Sequence, residues 1–349
     1  MRSVRYCPIS IWLVLGALLC IAACGDVGRT GFGAVSKEIL FRIPTGHRPG
    51  QLPYREPSGG WPQGERAWGM AVTDDAIYIG ELSERNGIQK FDRRGNFLRM
   101  ITGPDGCKEL ASPGSLCAME GRLLFVTRCK SGDSARLPLL YDEKTGRTQV
   151  IIAEGLPEGW TESVGNVIPR NGRFWLSPGG YATYQDPVGQ AAARCFEFDE
   201  QGKWVATHPS AYRSGPDYII LRWRERDSRG DDRYGVELVA PSGEVVWRHS
   251  VRERDWVYPR LYHYLDGTDV LGVTGRGEAK GTEILYTVTR DGLRPRAKVP
   301  STLFYRGGDA RAATSNGEVY YVEYSATEKK YLVIREKYDL AALEVGPAE

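Results

Sequence analysis

The chain has 349 residues, 41% of them hydrophobic, which is enough for one large or two ordinary domains. Lys and Arg total 46 and Asp and Glu total 44; removing Arg2 and Arg5, which belong to a basic N-terminal segment, leaves 44 of each sign. This balance gives no support for nucleic-acid binding. The 42 glycines and 19 tyrosines favour an all-β fold with many turns.

The N-terminus predicts an export signal that is not part of the fold. The apolar stretch from Ile9 to Cys24 is shorter than a typical transmembrane helix. It ends in Ile-Ala-Ala-Cys, which resembles the bacterial lipobox, whose cysteine receives a diacylglyceryl thioether. We expect a signal peptide over residues 1–23, lipid on Cys24 and a flexible glycine-rich tether over 24–34. An ordinary secretory signal or an uncleaved anchor is the alternative.

Gly25, rather than an aspartate, follows the cysteine that we expect to carry lipid. In a Gram-negative source this resembles the sorting rule for the outer membrane, so the protein would face the periplasm. One predicted partner is therefore the membrane itself, contacted through the lipid on Cys24.

Tight turns followed at once by apolar strands recur along the rest of the chain. The second residues of six such turns lie at positions 75, 121, 172, 215, 267 and 317, so they are 43 to 52 residues apart. A second turn recurs in phase, with Asp followed by Gly, in Phe91 to Gly95, Tyr141 to Gly146 and Phe198 to Gly202. Four antiparallel strands in about 40–50 residues are typical of a β-propeller blade.

The repeat predicts a six-bladed β-propeller of four-stranded antiparallel blades over residues 35–349. Lys37 to Pro44 is expected to complete the last blade as its outer strand. A pair of β-sandwiches or a solenoid is the alternative. The expected blades are 66–104, 112–156, 163–209, 210–253, 256–300 and 308–349.

The best-preserved unit is GMAVTDDAIYIGELSERNGIQKFDRRGNFL, Gly69 to Leu98. Its Gly-x-Ala-Val and Ile-Tyr-Ile strands, and its Ile-Gln-Lys-Phe-Asp followed by Gly-x-Phe-Leu, resemble an NHL repeat. Gly80-Glu81 departs from the Ala-Asp that such repeats often carry. The chain is similar to bacterial six-bladed propeller lipoproteins of the NHL/TolB-like superfamily. That superfamily includes binding modules, lactonases and lyases, so the resemblance implies a fold without selecting a function.

A propeller brings the loops between second and third strands and the loops between blades to one rim. Arginines and aromatic side chains at such a rim suit an anionic or sugar-like ligand, or a protein partner. A solvated rim with aromatic side chains wedged between blades is the alternative. The candidates at the ends of second strands are Glu81, Arg128, Arg224, Arg276 and Tyr324, and those in loops between blades are Trp68, Trp160, Trp256 and Tyr305.

The sequence favours a binding or scaffold module, for which we predict no catalytic residue, metal ligand or cofactor. It contains no G-x-S-x-G, and His263 is the only histidine on an expected innermost strand, where a structural role is expected. The alternative function is a lactonase-like hydrolase or lyase with calcium in the channel. Glu81, Asn166 and Asp217 would be its ligands, although no spacing supports them.

Cysteines outside the signal lack the CxxC spacing of zinc or thioredoxin-like sites. An exported chain can oxidise them. In the expected topology Cys107 lies between blades and Cys129 ends a second strand, so both reach the same rim and are expected to form a disulfide. Cys117 is expected to be a buried core residue, and the state of Cys195 stays open.

Overall fold

The computed structural model describes residues 35–340 with gaps, and within several strands it describes only the backbone. The gaps are 56–65, 83–86, 105–109, 120, 130–135, 152–163, 171–172, 179–193, 200, 210, 215–217, 227–231, 241, 243, 252–255, 264–268, 276–281, 301–309 and 315–316. The chain divides into two units, Met1–Ala34 and Val35–Glu349, and the first lies wholly outside the described residues. Every helix or strand in the described part is a β-strand, and none of it is a helix that could span a membrane.

The described strands form four-stranded antiparallel sheets in which neighbours along the chain pair in order. Sheet I contains β2 (Arg66–Val72), β3 (Ala76–Leu82), β4 (Ile88–Asp92) and β5 (Phe97–Ile101). Sheet II contains β6 (Leu110–Met119), β7 (Arg122–Cys129), β8 (Arg136–Asp142) and β9 (Arg147–Val150). Sheet III contains β10 (Val164–Arg170), β11 (Arg173–Pro178), β12 (Arg194–Phe198) and β13 (Trp204–Pro209).

Three further sheets follow in the second half of the chain. Sheet IV contains β14 (Ala211–Ser214), β15 (Tyr218–Arg226), β16 (Asp232–Val239) and β17 (Val245–Val251). Sheet V contains β18 (Trp256–His263), β19 (Asp269–Gly275), β20 (Thr282–Thr289) and β21 (Gly292–Pro300). Sheet VI contains β22 (Arg311–Ala313), β23 (Glu318–Ser325), β24 (Lys330–Lys337) and, as its outer strand, β1 (Ser36–Pro44).

The expected pairing of the first strand with the last sheet is confirmed. β1 runs antiparallel to β24, from Ser36 opposite Lys337 to Pro44 opposite Lys330. We call the end of each sheet where the second strand leads to the third the rim end, and the opposite end the turn end. β1 therefore starts at the turn end and finishes at the rim end.

The predicted Asp–Gly turns close the third and fourth strands of sheets I, II and III at the turn end. The Asp92 carboxylate accepts hydrogen bonds from the backbone amides of Arg94 and Asn96, both at 2.8 Å. Hydrogen bonds from the Asn96 side chain and from these amides lower the pKa of Asp92. Asp142 and Asp199 accept backbone amides in the same way. The turn glycines adopt left-handed φ values of 89°, 69° and 81°, at Gly95, Gly146 and Gly202.

Each of these turns packs against the outer strand of the preceding sheet. A Cβ built on Gly95 of sheet I would lie 2.5 Å from the Phe41 ring of β1 in sheet VI. One on Gly202 of sheet III would lie 3.2 Å from Ile151, which follows β9 of sheet II. Between sheets I and II, Arg99 of β5 donates a hydrogen bond to the Tyr141 hydroxyl at 2.8 Å. Sheets VI, I, II and III are therefore successive neighbours.

A buried ion pair also joins sheets I and II near the turn end. The Tyr78 hydroxyl donates to Glu143 at 2.5 Å, and the Lys90 ammonium lies 2.6 Å from the other carboxylate oxygen. Burial, and then the bond to Glu143, raises the pKa of Tyr78. At the VI–I junction the matching turn residue, Arg93, lies over the ring of Tyr320, 5.3 Å from its centroid.

The core lies between the sheets. β3 is buried at every position because both of its faces are covered. Ile77 and Ile79 pack into the cluster shared with sheet VI, whereas Ala76 and Tyr78 pack into the cluster shared with sheet II. Each large apolar side chain buried this way contributes about 1.5–3 kcal/mol.

A third cluster of buried apolar side chains lies between sheets II and III. It contains Cys117 as a free thiol, so the expected burial of this residue is confirmed. Small antiparallel sheets stacked face to face are consistent with a β-propeller.

Candidate functional site

Three tyrosines meet at the rim end of sheet VI. Tyr54 and Tyr324 stack with ring centroids 3.5 Å apart and ring planes 14° apart. Tyr331 lies edge-on to both, at 6.3 Å from Tyr54 and 5.5 Å from Tyr324. Its hydroxyl donates to the Pro53 carbonyl at 2.8 Å. Burial, reinforced by Tyr54 and Tyr324, raises the pKa of Tyr331, so its phenol stays neutral.

The hairpin between β23 and β24 explains why two of these rings touch. Tyr324 and Tyr331 lie directly opposite each other in the antiparallel register, next to the turn. Directly opposed residues bring their Cβ atoms about 4.5–5.5 Å apart on one face. Tyr54 comes from the segment after β1, where Thr45 forms an isolated bridge with Leu52. The cluster is thus assembled from both ends of the chain.

Arg66 and Trp68 of β2 lie beside the tyrosines. The guanidinium carbon of Arg66 is 5.1 Å from the Trp68 ring centroid, which is a cation–π contact. The Arg66 charge acts on Tyr331, opposing the rise of its pKa. Trp68 lies at a register irregularity between Ala67 and Gly69, so it belongs to a bulged strand and not to the loop in which we expected it.

We call Tyr54, Arg66, Trp68, Tyr324 and Tyr331 the rim cluster. Tyr54 is 38% exposed, Tyr331 is buried, and the remaining three are half-buried. The cluster therefore combines aromatic rings that reach solvent with one guanidinium held against an indole. Such a surface can stack on a ring-shaped ligand and hydrogen-bond an anion.

Glu81, a predicted rim residue, lies beneath this surface and is fully buried at 0% exposure. The Gln89 side-chain amide donates to the Glu81 carboxylate and to the Gln51 carbonyl. The Gly50 backbone amide in turn donates to the side-chain carbonyl oxygen of Gln89 at 2.8 Å. Because a buried carboxylate needs hydrogen-bond partners, Glu81 and Gln89 act together to hold the segment after β1 against sheet I.

For the other candidate residues the structure describes the backbone alone or nothing. Arg128 and Arg224 lie near the rim ends of β7 and β15, and Trp256 begins β18 instead of preceding it. The side chains of these three, and that of His263, lie outside the described part. Also outside it are Trp160, Arg276, Tyr305, Cys24 and Cys107, and the side chains of Cys129 and Cys195. Lipidation and the Cys107–Cys129 disulfide therefore stay predictions.

Sequence reasoning brought Trp68 and Tyr324 to this site but missed three of its members. Tyr331 could have been found, because the short turn after Ser325 fixes which residue of β24 faces Tyr324. Arg66 could have been found from its place two residues before Trp68 at the start of a first strand. No local sequence signal indicates that Tyr54 belongs to this site, because it lies in a segment far from Tyr324 and Tyr331 in the sequence.

Within the described residues, no group of three or more His, Cys, Asp or Glu side chains is arranged to hold a metal ion. Of the conceivable calcium ligands, Glu81 is bonded to Gln89, and the side chains of Asn166 and Asp217 lie outside the described part.

No family model and no curated protein sequence matches the chain. It is similar to a solved DUF4623 family protein from Bacteroides eggerthii, with 13% identity over 78% of this chain and 70% of that chain and a TM-score of 0.42. A protein of unknown function from Bacteroides thetaiotaomicron is 10% identical over 88% and 75%, with a TM-score of 0.40. An endo-arabinase from Bacteroides thetaiotaomicron is 13% identical over 70% and 95%, with a TM-score of 0.33. At these scores the likenesses carry no argument about function.

Proposed function

We propose that the chain is a lipid-anchored, extracytoplasmic six-bladed β-propeller that binds a ligand or a protein partner at its rim cluster. The observation that carries the proposal is the pairing of the Tyr54–Tyr324 stack with the Arg66–Trp68 contact at one end of adjoining sheets. Aromatic and arginine side chains dominate the binding energy of many recognition surfaces.

The propeller arrangement is supported by the repeated junction between sheets. Sheets VI, I, II and III follow one another, with turn glycines against the preceding outer strands at two junctions and the Arg99–Tyr141 bond at the third. A ring of blades requires the last sheet to lie beside the first, and Gly95 and Phe41 make that contact. The NHL-like unit from Gly69 to Leu98 is then one of six blades.

The register of β1 shows at which end of sheet VI the folded domain begins. Ser36 lies at the turn end, opposite Lys337, and the Val35 amide donates to the Lys337 carbonyl at 2.7 Å. A tether over residues 24–34, with lipid on Cys24 after removal of residues 1–23, would join the domain at that end. Fully extended, it would reach at most about 40 Å. In a Gram-negative source we propose that this membrane is the outer membrane and that the domain lies in the periplasm.

The enzyme alternative requires calcium in a central channel. No observation in the described residues favours it over a binding module, because Glu81 serves as a hydrogen-bond partner of Gln89 beneath the rim.

Native mass spectrometry of the protein purified from its own membranes tests the proposal. The wild type should retain a bound molecule, and Tyr54→Ala should lose it because the stack on Tyr324 is removed. Ile39→Ala on β1 is the matched control, since Ile39 is also 38% exposed but lies away from the rim cluster. Equal retention by both variants would contradict the proposal, as would the absence of a bound molecule from all three proteins.

A further inference from the structure

The orientation of Arg66 determines what it can bind. Its guanidinium carbon lies over the Trp68 ring, 5.1 Å from the ring centroid, so the indole covers one face of the cation and leaves its in-plane N–H donors uncovered by that ring. A planar fork held in this way matches the two oxygens of a carboxylate, with which it can form two parallel hydrogen bonds. Trp68 therefore prepares Arg66 for an anion.

One donor of Arg66 needs an acceptor. Its Nε is buried, and no described residue accepts a hydrogen bond from it. A buried donor without an acceptor is unfavourable, and a hydrogen bond from a charged donor to an anionic acceptor is roughly twice as strong as a neutral one. The described carboxylate closest in register, Glu81 opposite Ala67, is held by Gln89.

The charge of the rim cluster favours a single negative charge on the ligand. Arg66 is the cation among the five cluster residues, and burial keeps the Tyr331 phenol neutral. One guanidinium balances a carboxylate but not a phosphate dianion.

The aromatic side chains indicate what carries the carboxylate. Tyr54 lies parallel to Tyr324 and is 38% exposed, so the stack reaches solvent beside Arg66. A flat aromatic surface packs well against the apolar C–H face of a sugar ring. The Tyr331 hydroxyl already donates to Pro53 and only supports the stack.

We infer that Arg66 binds the carboxylate of an acidic sugar whose ring lies against Tyr54. This assignment rests on the proposed function and narrows its ligand to a uronic acid. The sugar would be held by two parallel hydrogen bonds from the guanidinium and by ring packing, with no covalent step.

Ligand-detected NMR with three probes tests the assignment: methyl glucuronide, its neutral match methyl glucoside, and acetate. The wild type should bind methyl glucuronide at least about tenfold more tightly than either other probe, because only glucuronide supplies both ring and charge. Arg66→Gln should weaken glucuronide binding by about tenfold and leave glucoside binding unchanged. Arg66→Lys should also lose most of the preference, because an ammonium cannot form the paired hydrogen bonds.

Arg311→Gln is the control variant. Arg311 of β22 also lies over an aromatic ring, 5.2 Å from the Tyr321 centroid, but it is outside the rim cluster, so its variant should bind glucuronide like the wild type. The assignment is overturned if glucuronide binds no better than glucoside or acetate, if no probe binds, or if the two Arg→Gln variants behave alike. If Tyr54→Ala still loses a molecule from the native membrane preparation, the rim function survives and only the ligand class fails.

Discussion

Tyr78 of sheet I and Glu143 of sheet II share a hydrogen bond of 2.5 Å, so one carboxylate connects two neighbouring sheets. The same carboxylate pairs with Lys90, and these two charged side chains are only 10% and 17% exposed. Glu143 follows the turn aspartate Asp142, just as Arg93 follows Asp92 and lies over Tyr320 of sheet VI. The residue after the turn aspartate therefore reaches the second strand of the preceding sheet at both junctions.

Replacing Glu143 tests how strongly this contact joins the sheets. Glu143→Ala should lower the free energy of unfolding by roughly 3 kcal/mol, because Lys90 and Tyr78 lose their buried partner. Glu244→Ala, in the equivalent but exposed turn of sheet IV, should change it by less than about 0.5 kcal/mol. Urea denaturation measures both, and equal effects would show that the buried pair does not stabilise the junction.

Gly95 tests whether sheets VI and I are neighbours. Gly95→Ala should destabilise the protein both through its left-handed φ of 89° and through contact with Phe41. Gly121 is the matched control, since its φ is 75° but a Cβ there meets nothing within 4 Å among the described atoms. Gly121→Ala should cost about 1 kcal/mol and Gly95→Ala roughly 1–3 kcal/mol more. If thermal denaturation finds the two variants alike, Phe41 does not cover Gly95.

Glu336 makes the free energy of unfolding depend on pH in the acid range. Burial opposes its ionisation, but hydrogen bonds from Tyr321 and Tyr338, both at 2.6 Å, and the Lys37 ammonium at 3.4 Å outweigh burial and lower its pKa. Because the folded pKa lies below the ordinary value of about 4.3, this stabilisation is complete above that pH and is lost as pH falls through the folded value.

Glu336→Gln should therefore flatten the fall in unfolding free energy below about pH 4.3, while also lowering stability at pH 7. Urea denaturation at a series of pH values measures the slope. A variant slope equal to that of the wild type would mean that Glu336 titrates alike in the folded and unfolded protein.

Much of the sheet architecture could be predicted because its signals are local. Asp92 and Gly95 specify a turn through their own hydrogen bond and φ, wherever the rest of the chain lies. The pairing of β1 with β24 agrees with the expectation that Lys37 to Pro44 completes the last repeat.

The site was harder to predict because it depends on segments distant in sequence. Glu81 stands at the end of an apolar strand, where a position at the rim is expected, but it is fully buried and accepts a hydrogen bond from Gln89. Tyr54 reaches Tyr324 only because the segment after β1 folds over the rim end. No periodic pattern in the sequence predicts the burial of Glu81 or the contact between Tyr54 and Tyr324.

Mass analysis of the membrane-extracted protein tests the anchor. The mature chain should begin at Cys24 and carry the mass of a diacylglyceryl group. Cys24→Ala should lack this lipid, whereas Cys20→Ala, within the expected signal, should carry it unchanged. An unlipidated wild-type N-terminus, or one at another residue, would contradict the prediction.

Alkylation without reduction tests the expected disulfide. Cys107 and Cys129 should resist the reagent even in denaturant, while Cys117 should react only after unfolding, because its thiol is buried and burial raises its pKa. Removing the Cys107–Cys129 disulfide should cost roughly 3 kcal/mol. Free alkylation of both residues in the native protein would exclude the pairing.

We propose the rim cluster as the surface through which this protein binds its ligand or partner. Placing a photo-crosslinking residue at Tyr54 and, separately, at the equally exposed Ile39, in cells that produce the protein, measures this most directly. We expect a discrete covalent adduct from position 54, identified by mass spectrometry, and none from position 39. Adducts of equal yield from both positions, or an adduct from position 39 alone, would contradict it.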